Sequence, residues 1–338
     1  MEYDVYIFNE VGVKNPYSLS GTRNFAYLTS LQLGKPPNTN TYYYSVKFKI
    51  ENKSPGSTLV AVPFKACNSW RPRWGWLQFT VIKDIVVSND TITINMYMQP
   101  IPKNEKYDYE GFISPTAIVH VFEVFDAHDQ SSDFGMIIGN STDYTKITDK
   151  SKLGFIVWSY SGIVTDGMTL PADLPNNASQ LVFAHWDHDS AVVEYDYKSN
   201  RIVTNGHTLN MDIVITQGGF NLPAEVGEWG LFIFNDNGEP VLTHHYPPIK
   251  EPKYIRLGKK PSKVFDKSMV TLGQYGLFFK GATGASRRSY NAGLQMKSGA
   301  INIARGSYSG QQGDHHAGQG SEFYSECNTV VLNRDDYF

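Results

Sequence analysis

One eleven-residue phrase constrains this chain more than any other. Residues 228–238 read Glu-Trp-Gly-Leu-Phe-Ile-Phe-Asn-Asp-Asn-Gly. The bulky apolar run suits a buried strand, and the Asn-Asp-Asn-Gly end supplies residues that tolerate positive φ, so a strand entering a tight turn is predicted. The chain opens on nearly the same phrase at residues 2–12, with Glu, Ile, Phe, Asn and Gly identical and Tyr6 matching Phe232 in character. Weaker echoes occur at 134–140 and 275–281. The phrase reads as the first hairpin of a β unit used more than once; unrelated strands sharing one strand–turn grammar are the alternative.

The rest of the chain agrees with strands. Aromatics reach 14% and charged residues only 19%, while Gly and Pro recur between short apolar runs, a mix that favours strands and turns over helices. No long segment carries apolar residues at i, i+3, i+4 and i+7. A net charge of -3 without a basic stripe gives no reason to expect nucleic acid. The apolar runs fall short of a membrane span, and the Met-Glu-Tyr-Asp start lacks the features of a signal peptide, so synthesis in a cytoplasm is expected. Cys67 and Cys327 fit neither a CxxC nor a zinc pattern and are expected as two buried free thiols.

In chain order, strands are predicted over 21–33 and 41–50, then over 76–88 and 91–98 as a hairpin turning at Asn89-Asp90. The largely apolar run 117–125 is expected as a strand buried on both faces or central in a sandwich. The polar stretch 126–133 marks a first boundary. Further strands are predicted over 135–139, 153–160 and 209–216, with a hairpin of 192–197 and 201–204. Gly218-Gly219 marks a second boundary. Residues 239–261 hold five prolines, a composition for loops and edge segments. Residues 303–322, rich in Gly, Ser and Gln, read as a long loop, and the closing aromatics Tyr337 and Phe338 as a docked terminus. Three domains are therefore expected: an N-terminal β domain (1–130), a middle β domain (131–226) and a C-terminal β domain with a Gly-rich loop (227–338).

Candidate chemistry is sparse. His185 and His188 stand three apart with Asp187 and Asp189, but strands put such positions on opposite faces and no third ligand is recognisable, so a polar loop is expected there rather than a metal site. Asp314-His315-His316 lacks the companion motifs of metal-dependent phosphoesterases, and His244-His245 reads as surface. There is neither a Gly-x-Ser-x-Gly elbow nor a phosphate-binding loop. The strongest binding candidate is Trp70, Arg71, Arg73, Trp74 and Trp76, pinned by Pro72 and Gly75. These rings and guanidinium groups would grip a protein partner or stack on sugar rings if exposed, and would cap the core if buried.

The phrase best seen at 229–238 resembles the opening of small β-rich virion proteins of tailed bacteriophages, associated with the tail tip or tail fibres. The closing Asp335-Asp336-Tyr337-Phe338 resembles the end of such proteins. The match spans two short motifs. It departs from the pattern in holding the best copy internally and in carrying Asp4 where the pattern has Gly. The resemblance implies a structural virion protein and carries over no catalytic residue.

The sequence is thus read as all-β, with several sandwich-like domains and long loops. The expected role is that of a phage tail-tip or tail-fibre component. It would not be an enzyme, would need no cofactor or metal, and would be made in the host cytoplasm and located in the virion. Expected partners are other tail proteins, further copies of itself and a host surface glycan or protein, with no nucleic acid and no membrane span. The alternative is a carbohydrate-binding module using the Trp/Arg loop.

Overall fold

The computed structural model describes residues 6–19, 25–36, 42–70, 78–98, 116–125, 136–139, 144–147, 154–223, 230–234, 237–250, 252–280, 287–313 and 321–338. These residues form antiparallel strands and two short 3₁₀ turns. The protein is all-β and multi-domain, built from several separate sheets.

The first sandwich joins a three-stranded sheet (Phe25–Leu33, Ala117–Phe125, Ser57–Lys65) to a four-stranded one (Tyr43–Lys49, Thr91–Met98, Gln78–Ser88, Cys67–Trp70). Alternation drives it. Ile92, Ile94 and Met96 point inward beside Ile82 to meet Val119 and Val121 of the other sheet, while the intervening residues stay partly wet. The predicted hairpin closes with Ser88 opposite Thr91, and Asn89 takes the positive φ of 50° that the two-residue turn requires. Ala117–Phe125 is the central strand of its sheet, as its largely apolar run implied.

The second sandwich faces a six-stranded sheet with a seven-stranded one. The six-stranded order is Phe155–Val164, Leu209–Gln217, Leu181–His185, Ser268–Thr271, Asn328–Asn333, Lys253–Arg256. Its inner strands are apolar on both sides. Val182, Ala184, Ile213, Ile215 and Val331 pack into the inter-sheet core, while Leu181, Phe183, Val214, Val330 and Leu332 face the opposite way. That second face is covered by residues from far along the chain, among them Ile7, Val13, Tyr17, Leu242 and Tyr337. A sheet buried on both faces needs continuous apolar runs, which is why Ile213-Val214-Ile215 does not alternate with polar residues.

The two later domains expected from sequence share both sheets. Leu181–His185 pairs with Ser268–Thr271, and Val192–Asp196 pairs with Arg287–Lys297, so Gly218-Gly219 is no boundary between cores. Short turns predicted from local composition carry no information on which distant strands will pair. A second correction concerns 303–322. Residues up to 313 belong to Ala300–Gly313, the longest strand among the described residues, where Gly306 allows the close approach of Glu194. Residues 314–320 lie outside the described residues.

The repeated phrase forms hairpins both times. Tyr6–Ile7 pairs with Tyr17–Ser18, and Phe232–Phe234 pairs with Pro240–Thr243. Gly12 and Gly238, equivalent in the two copies, both adopt positive φ, at 84° and 77°. Ile7 and Ile233 both pack against the covered face of the six-stranded sheet. Of the buried strand expected in this phrase, Phe232–Phe234 is seen half exposed, in a hairpin that packs on the covered face of the six-stranded sheet; residues 228 and 229 lie outside the described residues. The terminus docks as expected: Tyr337 is fully buried and its hydroxyl accepts from Lys250 N at 3.0 Å.

Candidate functional site

Strand alternation decides what meets at the seam between the two sandwiches. In Val192–Asp196 the side chains of Val193 and Tyr195 enter the core, so Glu194 and Asp196 must point to the outer face of the seven-stranded sheet. The N-terminal sandwich sits on that face. Its Lys65 bridges in parallel to Gln274, Ala66 N donates to Gln274 O at 3.0 Å, and Cys67 Sγ donates to Gly276 O at 3.5 Å. Nearby the seam is dry and aromatic. Phe79 lies 4.7 Å from Phe323 and 5.3 Å from Phe279, beside Cys67, Val81 and Leu277.

Beside this apolar contact the seam opens into a polar cleft of about 310 Å³. Glu194 forms its floor and is 1% exposed. Ser307 N donates to Glu194 Oε1 at 2.5 Å, Ser307 Oγ to Oε2 at 3.0 Å, and Asn205 Nδ2 to Oε1 at 3.5 Å. Room for the carboxylate comes from two glycines on neighbouring strands. A Cβ at Gly306 would lie 2.0 Å from Glu194 Oε1, and one at Gly293 would lie 2.6 Å from its Cγ. Burial pushes the Glu194 carboxyl above its ordinary pKa, and the hydrogen bonds from Ser307 partly oppose the rise.

Lys65 lies in the opposite wall, 2% exposed, with its ammonium 5.3 Å from the centre of the Tyr197 ring. Burial brings its pKa down to about 8, against the opposing pull of Cys67. Burial also raises the Cys67 thiol to about 12. At the mouth stand Lys198 and Tyr308, the latter 48% exposed. Asp196 is held by Lys198 N at 3.0 Å and Ser199 Oγ at 2.7 Å, which leaves acceptor capacity on both oxygens. The cleft therefore offers donors and acceptors side by side.

The Trp/Arg loop predicted from sequence leaves the strand that lines this cleft. Trp70 is 4% exposed and ends the strand Cys67–Trp70, so this ring packs rather than standing out to stack on a ligand. Arg71, Arg73, Trp74 and Trp76 lie outside the described residues. The His185–Asp189 stretch runs from the end of the strand Leu181–His185 into a connection, and its two histidines and two aspartates each have a partner. His185 Nδ1 lies 2.9 Å from Ser268 O, and His188 Nδ1 accepts from Ala191 N at 3.1 Å. Asp187 accepts from Ser298 N at 2.8 Å, and Asp189 pairs with Lys297 at 2.9 Å. His244 and His245 are partly buried rather than surface residues, with rings 4.0 Å apart and Phe232 against His244. Asp314, His315 and His316 lie outside the described residues. Cys67 and Cys327 are free and buried, as expected.

Sequence reading missed Glu194, because a carboxylate alternating with apolar residues looks like any wet strand face. The signal that could have found it was Gly293 and Gly306 inside long strands, where glycine marks close approach. No curated protein and no solved structure matches the chain. The model of DUF6453, described as a family of unknown function, matches residues 6–313, a span holding both hairpins and nearly all of both sandwiches, and the chain belongs to that family.

Proposed function

We propose that the protein is a structural and adhesive component of a phage tail, at the tip or in a fibre, rather than an enzyme. It packs against other tail proteins and further copies of itself around the tail axis, and touches the host surface. It is made in the host cytoplasm and ends in the virion. The observation that carries this reading is the pair of repeated hairpins. Their isoleucines anchor them to the sheet, while Tyr6, Phe8 and Phe234 stand out at 55%, 69% and 51% exposure. Aromatic side chains held out on fixed hairpins suit the centre of a protein–protein contact, where such rings are enriched among the residues that carry binding.

Immunogold electron microscopy of phage particles from the source, with antibody to the recombinant chain, tests the proposal. Label confined to the distal tail supports it. Particles without label, in a lysate where the protein is abundant, refute it.

A further inference from the structure

The cleft at the sandwich seam combines features that a purely structural joint would not need. Elsewhere the same joint is packed by the rings of Phe79, Phe279 and Phe323. A buried carboxylate is no more stabilising than well-packed apolar residues of similar volume, and often less so. Yet the chain buries Glu194 here and leaves two strand positions as glycine to accommodate it. What the carboxylate achieves is order: it fixes the backbone and hydroxyl of Ser307 and the amide of Asn205. Ser307 Oγ in turn lies 3.1 Å from the Asn291 amide, which donates to it. The floor of the cleft is thus a preorganised set of polar groups, open to solvent and edged by Tyr308.

We propose that this cleft is a binding subsite for one or two pyranose rings of a saccharide. A ligand that suits it must both donate and accept. Asp196 offers acceptors, Lys198 offers donors, and Gln274, in the connection between Ser268–Thr271 and Gly276–Lys280, offers both. A sugar hydroxyl does both at once, whereas an anion would meet Glu194 and Asp196 in the wall and a cation would meet Lys65 and Lys198. The exposed Tyr308 ring supplies a face for the C–H side of a sugar ring. A volume near 310 Å³ lies at the lower end of the range for small-molecule sites, about 300–1,000 Å³. Glu194 acts as a positioning residue; Asp196, Lys198, Gln274 and Tyr308 touch the ligand.

The inference does not depend on the tail proposal, because it is tested on the purified full-length chain. The probes are glucose, galactose, N-acetylglucosamine and rhamnose, each at millimolar concentration, followed by saturation-transfer difference NMR. Transfer to the ring protons of at least one sugar is expected. Tyr308→Ala and Lys198→Ala, both at exposed positions and so compatible with folding, are expected to reduce it about tenfold. Lys47→Ala, on an edge strand of the first sandwich, is expected to bind like the unaltered protein. A marked loss in either cleft variant supports the assignment. Absence of transfer from all four sugars overturns it, and so does transfer unchanged in both variants.

Discussion

His120 gives the seam between the sandwiches a pH limit. The residue belongs to the central strand of the three-stranded sheet, is 2% exposed, and has Nδ1 2.6 Å from Ser30 Oγ. Its ring lies 4.8 Å from that of Phe64, which itself packs 5.8 Å from Tyr195 of the second sandwich. Burial in this aromatic surrounding lowers its pKa from 6.5 to about 4. Above pH 6.5 the imidazole is neutral in both folded and unfolded chains, and its full contribution to stability is present. As pH falls towards 4 the unfolded chain takes up the proton and the folded chain does not, so stability is lost across that window. At 1.36 kcal/mol per pKa unit the loss is about 3 kcal/mol by pH 4, and little more below it. Replacing His120 by Gln keeps a polar side chain facing Ser30 and removes the titration. Urea unfolding of both proteins at pH 7.5 and pH 4.5 isolates the effect, because groups common to the two cancel. The unaltered protein is expected to lose about 2–3 kcal/mol more than His120→Gln over this interval. An NMR titration of the imidazole protons gives an independent reading, with one of the nine histidines remaining neutral well below pH 6. Equal losses in the two proteins, together with nine histidines titrating near 6.5, would refute the reasoning.

Other expected outcomes follow from packing. Gly306→Ala places a methyl group on the Glu194 carboxylate and is expected to cost about 1–3 kcal/mol by thermal unfolding. The cost shrinks when Glu194 is also replaced by Ala, so a double-mutant cycle shows coupling, whereas additive effects would contradict the cradle. Ile213→Ala, in the sheet buried on both faces, is expected to lose about 2–5 kcal/mol. Ile163→Ala on the same sheet's edge strand, where the side chain is 67% exposed, should stay within about 0.5 kcal/mol in chemical denaturation. Cys67 and Cys327, both buried with thiols raised to about 12, should resist a thiol-reactive dye in the native protein and react once it is unfolded. Tyr6→Ser with Phe8→Ser is expected to leave the melting temperature unchanged while removing the protein from particles in a complementation assay. Normal incorporation would count against the hairpins as the contact surface.

Local patterns in the chain were informative where the physics is local. The hairpin at Asn89-Asp90 needs only two alternating runs and a turn that tolerates positive φ, all adjacent in sequence. The run 117–125 is central because most of it is apolar, and its buried polar side chains, His120 and Glu123, find hydrogen-bond partners in Ser30 and in Ser54 and Ser57. The repeated phrase was legible because the same side chains solve the same problem twice, an Ile inward and a Phe outward before a glycine turn.

The sequence by itself determined the all-β class, most strand positions, the free thiols and the twin hairpins, since each depends on residues within a few positions of one another. Tertiary structure alone decided that residues 155–217 and 253–333 build the same two sheets, because strand partners are chosen by whole-face burial over long separations. It alone turned the Gly-rich stretch up to 313 into a strand, in which Gly306 makes room for Glu194, a residue more than a hundred positions earlier. It alone made the cleft. Lys65, Glu194, Gln274 and Tyr308 share no spacing that the chain could announce, and they meet only where one sandwich lands on the outer face of the other.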